Sequence, residues 1–246
     1  MALTVGVLAL QGGVIEHLSL LRKAADYLTS TGATQLKSND FEFIEVRTKE
    51  QLSRCDALII PGGESTTMGI VAARLGLLEP LRQFVKVENK PVWGTCAGLV
   101  MLAETASATK QGGQELVGGL DVRVLRNRFG TQIDSFVADL KLPFLGEEET
   151  PFRGVFIRAP VVEEIMASQE AAEGVKSKSE DPVEVLATVP AGKAEKAAAS
   201  EDIVAVRQRN VFGTSFHPEL TQDIRIHVWW LKQVLNAGRH QDLVSR

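Results

Sequence analysis

Trp93-Gly94-Thr95-Cys96-Ala97-Gly98 sets a cysteine between two glycines, with apolar Pro91-Val92-Trp93 before it and Leu99-Val100-Met101-Leu102-Ala103 after it. The pattern reads as the end of a buried strand, a tight turn and the first turns of a helix packed behind the strand. That is the layout of a nucleophile elbow, in which small flanking residues let the backbone pass close to neighbouring elements while the central side chain is lifted clear of the sheet. Cys96 then stands at a helix N-terminus, where the positive end of the dipole favours a thiolate.

Working outward, the same strand-to-helix alternation repeats. Thr4 to Leu10 is a near-continuous apolar run ending in Gln11-Gly12-Gly13, and a helical pattern follows with Val14, Leu18, Leu21 and Ala25 on one face. A continuous apolar strand feeding an amphipathic helix implies a strand covered on both faces, as in parallel sheets. Thr29 to Asp40 is polar and reads as an extended loop, and Phe41 to Val46 as a second strand. Thr48-Lys49-Glu50-Gln51 has capping-box spacing and opens a short helix reaching about Cys55, itself read as a small core residue. Ala57 to Ile60 is a third strand running into the glycine-rich turn Pro61-Gly62-Gly63-Glu64-Ser65-Thr66-Thr67, and helices follow over Thr67 to Leu75 and Leu78 to Val87. Four βα repeats predict a flavodoxin-like α/β fold, an open and mostly parallel sheet with helices on both faces.

Beyond Cys96 the pattern shortens. Strands are expected over Asp121 to Leu125, Ile133 to Ala138 and Val155 to Ile157, with a polar turn from Arg126 to Gln132. These add a smaller antiparallel portion in the second half. Arg158 lies beside apolar Phe156-Ile157, where a charge usually needs an anionic partner. From about Glu163 to Asp202 the composition turns to Ala, Glu, Lys and Ser, with one strand-like run, Val183 to Val189. Ser168 to Asp181 and Pro190 to Glu201 read as mobile loops without a site. Ile203 to Gln208 and Val211 to Phe216 form a hairpin about Arg209-Asn210, and the second strand leads into His217-Pro218-Glu219. An amphipathic helix from Asp223 carries Ile226, Trp229, Trp230, Val234 and Leu235. His17, His227 and His240 read as packing or surface residues.

The chain has 246 residues, 44% of them hydrophobic, and a net charge of −4. This fits one domain over residues 1–246, with flexible insertions near 29–40 and 168–201, and suggests neither nucleic acid nor a membrane as partner. The apolar opening lacks a basic flank and is too short to span a bilayer. Two cysteines, Cys55 and Cys96, give no disulfide framework and point to the cytoplasm. No metal site or cofactor is expected.

In extended backbone, residues two apart project to the same side, so His217 and Glu219 are expected to converge as base and orienting carboxylate for Cys96. Attack on a carbonyl generates an oxyanion, and the backbone N–H groups of Gly63 and Ala97 are placed to receive it. Arg126 and Arg158 suit a carboxylate, which suggests an amino-acid substrate with an acyl group on its side chain.

Pro61-Gly62-Gly63-Glu64-Ser65-Thr66, Gly94-Thr95-Cys96-Ala97-Gly98 and Ser215-Phe216-His217-Pro218-Glu219 together resemble the class I glutamine amidotransferases, the triad glutaminase family. Leu10-Gln11-Gly12, Glu16-His17, Gly63 to Met68, Arg126-Asn127, Phe129-Gly130, Gln132, Ser135-Phe136 and Gly154 to Pro160 are similar, within it, to the family of glutaminase subunits of pyridoxal 5′-phosphate synthases. The likeness covers the chain except Thr29 to Asp40 and Ser168 to Glu201, which read as insertions. It implies hydrolysis of L-glutamine through a thioester on Cys96, with ammonia passed to a separate (β/α)₈-barrel synthase subunit. It further implies that Gly63, Glu64, Ser65, Arg126, Ile157 and Arg158 bind glutamine, and that Gln11 lies near the oxyanion site and the partner interface. Such subunits are weak glutaminases until the partner docks, so the oxyanion hole is expected to be unformed in the free chain. One departure is Thr131, where the family pattern often has Arg. Competing readings are an amidotransferase serving another pathway, a free-standing cysteine hydrolase of γ-glutamyl compounds, and a non-catalytic binding module.

Overall fold

Four apolar segments with no charge among them but Glu42 and Glu45 build one half of the molecule: β1 (Leu3–Leu8), β2 (Phe41–Val46), β3 (Ala57–Ile60) and β4 (Val92–Thr95). In this computed structural model, which describes residues 2–107, 114–126, 135–146, 150–166, 181–190 and 201–244 with side chains through 238, they pair in parallel in the order β2-β1-β3-β4. The sheet continues through β12 (Val211–Thr214), parallel to β4, and then β11 (Glu201–Gln208), antiparallel to β12. It ends with β9 (Val161–Ile165), β6 (Leu120–Leu125) and β5 (Ala103–Ser107), while β10 (Glu184–Pro190) pairs with β11. A separate antiparallel pair is formed by β7 (Phe136–Leu140) and β8 (Phe152–Phe156).

Helices cover both faces, as expected. On one face α1 (Val14–Ser30) and α6 (Arg225–Val244) bury Leu18, Leu21, Trp230 and Leu231 against Trp93, Phe212 and the small sheet's Phe156. On the other, α2 (Lys49–Ser53), α3 (Ser65–Arg74), α4 (Leu78–Arg82) and α5 (Ala97–Leu102) enclose Met68, Leu81, Phe84, Leu99 and Leu102 against the second face of the same strands. Burial on both faces explains why these strands read as unbroken apolar runs, without the alternation of a half-exposed sheet.

Local signals account for most boundaries. Thr48 and Gln51 form the expected reciprocal capping box at α2. Glu64 caps α3 through Thr66 and Thr67, so that helix begins at Ser65, two residues before the expected start. Leu78 to Val87 is helical, but its second half, Gln83–Val87, widens into a π turn. α1 runs on to Ser30 because the hydroxyls of Thr29, Ser30 and Thr31 bond back to carbonyls three or four residues earlier, and Ser38–Asp40 forms a 3-10 turn. The expected 29–40 loop is therefore shorter.

Two strands were not anticipated. β5 follows α5 without an intervening loop, where an uninterrupted helix was expected past Ala103. β9 carries only Val161 and Val162 into the core before its Glu163-Glu164 end reaches solvent, too short an apolar signal to register. The expected strand at Ile133 to Ala138 is found as β7 from Phe136. Residues 127–134, with Thr131 among them, and most of 168–201 lie outside the described residues.

Candidate active site

The parallel strands β1, β3, β4 and β12 lie side by side, and all end at one edge. Their carboxyl-end turns carry Gln11, Gly62-Gly63, Cys96 and His217, the topological position where open α/β sheets build sites.

Cys96 leaves β4 with φ 49° and ψ −105°, a conformation costly for a residue with a Cβ and over-determined here by its surroundings. Its N–H donates to the carbonyl of Thr214 at 2.7 Å, and its carbonyl begins α5. Gly98 permits the turn, since a Cβ there would collide with the carbonyl oxygen of Ile60 on the neighbouring strand. The elbow expected from the glycine spacing is present, and Cys96 is 7% exposed at the cleft.

His217 follows β12, its N–H donating to the carbonyl of Val155 in β8. Its Nδ1 lies 2.8 Å from Oε1 of Glu219. The two converge by a route other than extended alternation, because Pro218–Leu220 is a 3-10 turn that folds Glu219 back under the ring. Gly62 makes room for the imidazole: a Cβ at that position would strike His217 Cε1. Burial alone would lower the His217 pKa, but hydrogen bonding to Cys96 and Glu219 raises it to about 10. Burial opposes the charge on Glu219, yet the hydrogen bond from His217 and the positive charge of that ring hold its carboxyl below the usual range.

A cleft of about 80 Å³ opens beside the thiol, lined by Gly63, Glu64, Ser65, Cys96, Ala97, Val100, Arg126, Ile157, Arg158 and Pro160. Eight of the eleven residues singled out from the sequence thus line one cavity; Gln11, His217 and Glu219 stand behind it. A larger groove of about 560 Å³ lies beyond Thr66 and Gln114 and does not include Cys96.

The polar wall has its own wiring. Glu64 Oε1 accepts from Thr66 N at 3.1 Å and from Arg126 at 3.0 Å, and Oε2 accepts from Thr67 N at 2.8 Å and Thr67 Oγ1 at 2.7 Å. Burial would raise its pKa, but these donors lower it to about 2. All four acceptor positions are engaged, so the Glu64 side chain orients Arg126 in this state. Gln114, which the sequence reading missed for want of any local motif, accepts from Arg126 at 2.9 Å and from Ser65 Oγ at 3.3 Å. Arg158 sits at φ 47°, exposed at the cleft, with no carboxylate pairing it among the described residues. Gln11 reaches across from β1, its Oε1 accepting from Glu64 N at 2.8 Å and abutting Gly63, itself at φ 148°.

Cys55 is a buried core thiol as expected, pushed up to about 12 by burial. His17 and His227 are fully buried, and His17 packs directly behind Glu219, a placement that no local spacing signals. The side chain of His240 lies outside the described residues. Among the described residues, no three of His, Cys, Asp or Glu converge as ligands for a metal ion, and no helix is long and apolar enough to cross a membrane.

Comparison with known proteins agrees with this geometry. The chain is 44% identical over 233 residues to a probable pyridoxal 5′-phosphate synthase subunit PDX2 of Arabidopsis thaliana, covering 94% of this chain and 85% of that one. It is 40% identical to the pyridoxal 5′-phosphate synthase subunit PdxT of Herpetosiphon aurantiacus, covering 93% and 99%. A solved glutamine amidotransferase superposes with a TM-score of 0.66 at 37% identity, covering 94% and 98%. The model of the SNO glutamine amidotransferase family matches residues 7–236. With that match running through every element that shapes the cleft, the chain belongs to the SNO glutamine amidotransferase family.

Proposed function

We propose that this chain is the glutaminase subunit of a pyridoxal 5′-phosphate synthase, hydrolysing L-glutamine to L-glutamate and ammonia and delivering the ammonia to a barrel-type synthase subunit. The observation that carries the reading is the strained Cys96 beside His217, whose ring is held by Glu219 at 2.8 Å.

In this mechanism Arg126 and Arg158 bind the α-carboxylate of glutamine, while Ser65 and the backbone at Ile157 line the remainder of its path. The Cys96 thiolate attacks the side-chain amide carbon. Negative charge moves to the carbonyl oxygen, which the N–H groups of Gly63 and Ala97 stabilise. The imidazolium of His217 gives its proton to the amide nitrogen as the C–N bond breaks, releasing ammonia and leaving a γ-glutamyl thioester. His217, now neutral, takes a proton from a water molecule that attacks the thioester. Collapse expels Cys96 as thiolate beside the imidazolium already formed, and frees glutamate, whose new carboxyl gives its proton to solvent. Glu219 remains ionised throughout and fixes the Nδ1–H tautomer of His217. Gln11, joined to the Gly63-Glu64 peptide, ties the oxyanion site to the first strand-helix turn and hence to a surface that a docked partner reaches.

The test measures ammonia release from glutamine by the purified chain, alone and with a barrel-type synthase subunit, with Cys96→Ala as control. A large rise with the partner, confined to the unsubstituted chain, is expected. Cys96-dependent release indifferent to the partner would instead favour a free-standing hydrolase of γ-glutamyl compounds, and no release in either case a binding module.

A further inference from the structure

The triad uses one oxygen of Glu219. The other, Oε2, is buried without a well-formed hydrogen bond and lies 3.4 Å from Nε2 of His17, which projects from the first turn of α1. Gly13, just before that helix, leaves the space that the Glu219 side chain occupies. Behind His17, its Nδ1 is 3.1 Å from Nε2 of His227 on α6. Both rings pack on the edge of Trp93, and neither reaches solvent.

Burial holds both imidazoles neutral, each lowered to about 3, against the opposing attraction of Glu219 for His17. Each ring therefore carries a single N–H, and the geometry decides where. With hydrogen on His17 Nε2, that nitrogen is a donor 3.4 Å from Glu219 Oε2 and also 3.4 Å from Thr95 Oγ1. His17 Nδ1 then accepts from His227 Nε2–H, and the one unmet position is a lone pair on His227 Nδ1. The opposite assignment sets a lone pair against the carboxylate and strands a buried N–H on His227 Nδ1. An unmet buried donor facing no acceptor is the costlier arrangement, so the first assignment prevails. The charged or titratable groups facing this pair are Glu219 and His217 from the turn after β12, and the two rings themselves; Thr95 and Trp93 on β4 are neutral.

We propose that His17, its tautomer set by His227, is a positioning residue for the triad: its Nε2–H holds Oε2 of Glu219 and thereby keeps Oε1 on His217 and the imidazole aimed at Cys96. The proposal rests on the Cys96-His217-Glu219 triad reading. It ties the two helices on one face of the sheet, α1 and α6, to the chemistry at the strand ends.

The experiment compares His17→Phe, which keeps a ring against Trp93 but has no N–H, with His17→Gln, whose amide can reach the same oxygen. Cys96 alkylation by iodoacetamide, followed on its own peptide, reports how far His217 activates the Cys96 thiol, without any need for glutamine turnover. His17→Phe is expected to lower the ratio of alkylation rates at about pH 7 and about pH 9.5 at least threefold, because a poorly held carboxylate supports less imidazolium. In partner-stimulated turnover it is expected to lower kcat about tenfold with KM within about twofold. His17→Gln is expected to recover most of both losses. A folded His17→Phe with an unchanged alkylation ratio, or a His17→Gln as impaired as His17→Phe, would overturn the proposal. Should His17→Phe not fold, as judged by circular dichroism, His227→Phe carries the same comparison: the alkylation ratio falls in the same direction if His227 sets the tautomer, and an unchanged ratio counts against it. Absence of ammonia release by the unsubstituted chain would break the functional reading alone, since the alkylation comparison remains valid.

Discussion

The two walls of the cleft are built differently. The wall bearing Cys96, His217 and Glu219 hangs from adjacent parallel strands, whose register fixes Thr95 opposite Thr214 and closes the Cys96 elbow with a 2.7 Å bond to Thr214. The wall bearing Arg126 and Arg158 comes from the ends of β6 and β8 in the antiparallel part, with Arg126 held by side-chain contacts to Glu64 and Gln114. The first wall places the Cys96 thiol with little freedom; the second presents two guanidinium groups held more loosely. Rigid placement belongs with chemistry and adjustable charge with recognition, so damage to the first is expected in kcat and damage to the second in KM.

The strongest break is Cys96→Ala. It removes one sulfur from a mostly buried site, leaves the fold and partner docking intact, and is expected to reduce ammonia release at least about a thousandfold. Retained activity would remove the nucleophile from the first wall altogether. Gly62→Ala probes the same wall without replacing a triad residue. The new Cβ displaces the His217 ring, and a fall of at least about a hundredfold in kcat with KM little changed is expected from steady-state kinetics.

The second wall is tested by Arg126→Ala and Arg158→Ala. A charge-assisted hydrogen bond contributes about 1.5–3 kcal/mol, so KM for glutamine should rise about 10- to 100-fold with kcat within a few-fold. A kcat effect as large as that of Gly62→Ala would erase the contrast between the walls.

Glu64→Gln sharpens it further. The carboxylate caps α3 and orients Arg126, so KM should rise by about threefold and stability should fall by about 1 kcal/mol, the size of a helix cap on a side chain 44% exposed. Its folded pKa of about 2 lies below the unfolded value near 4.3, so its contribution is fully present above about pH 4.3 and is lost as pH falls toward about 2. Denaturant unfolding across that range should show a shallower decline for Glu64→Gln than for the unsubstituted chain.

The sequence by itself determined the parallel half and pointed to the groups proposed to react. Continuous apolar runs mark strands buried on both faces, glycines at 94 and 98 mark close approaches, and His217 and Glu219 lie two residues apart, so each signal is contained within a few residues. The antiparallel half was less legible, because β5 and β9 are short, partly polar strands whose identity depends on the neighbours they pair with. Gln114 and His17 had no local signature as parts of the site. Only the tertiary structure decided that Glu64 spends its oxygens on α3 and Arg126, and that His17 and His227, 210 residues apart, meet behind Glu219. The physical reason is that a buried carboxylate must find its donors wherever the fold brings them, and sheet topology, not sequence spacing, sets which helix ends arrive there.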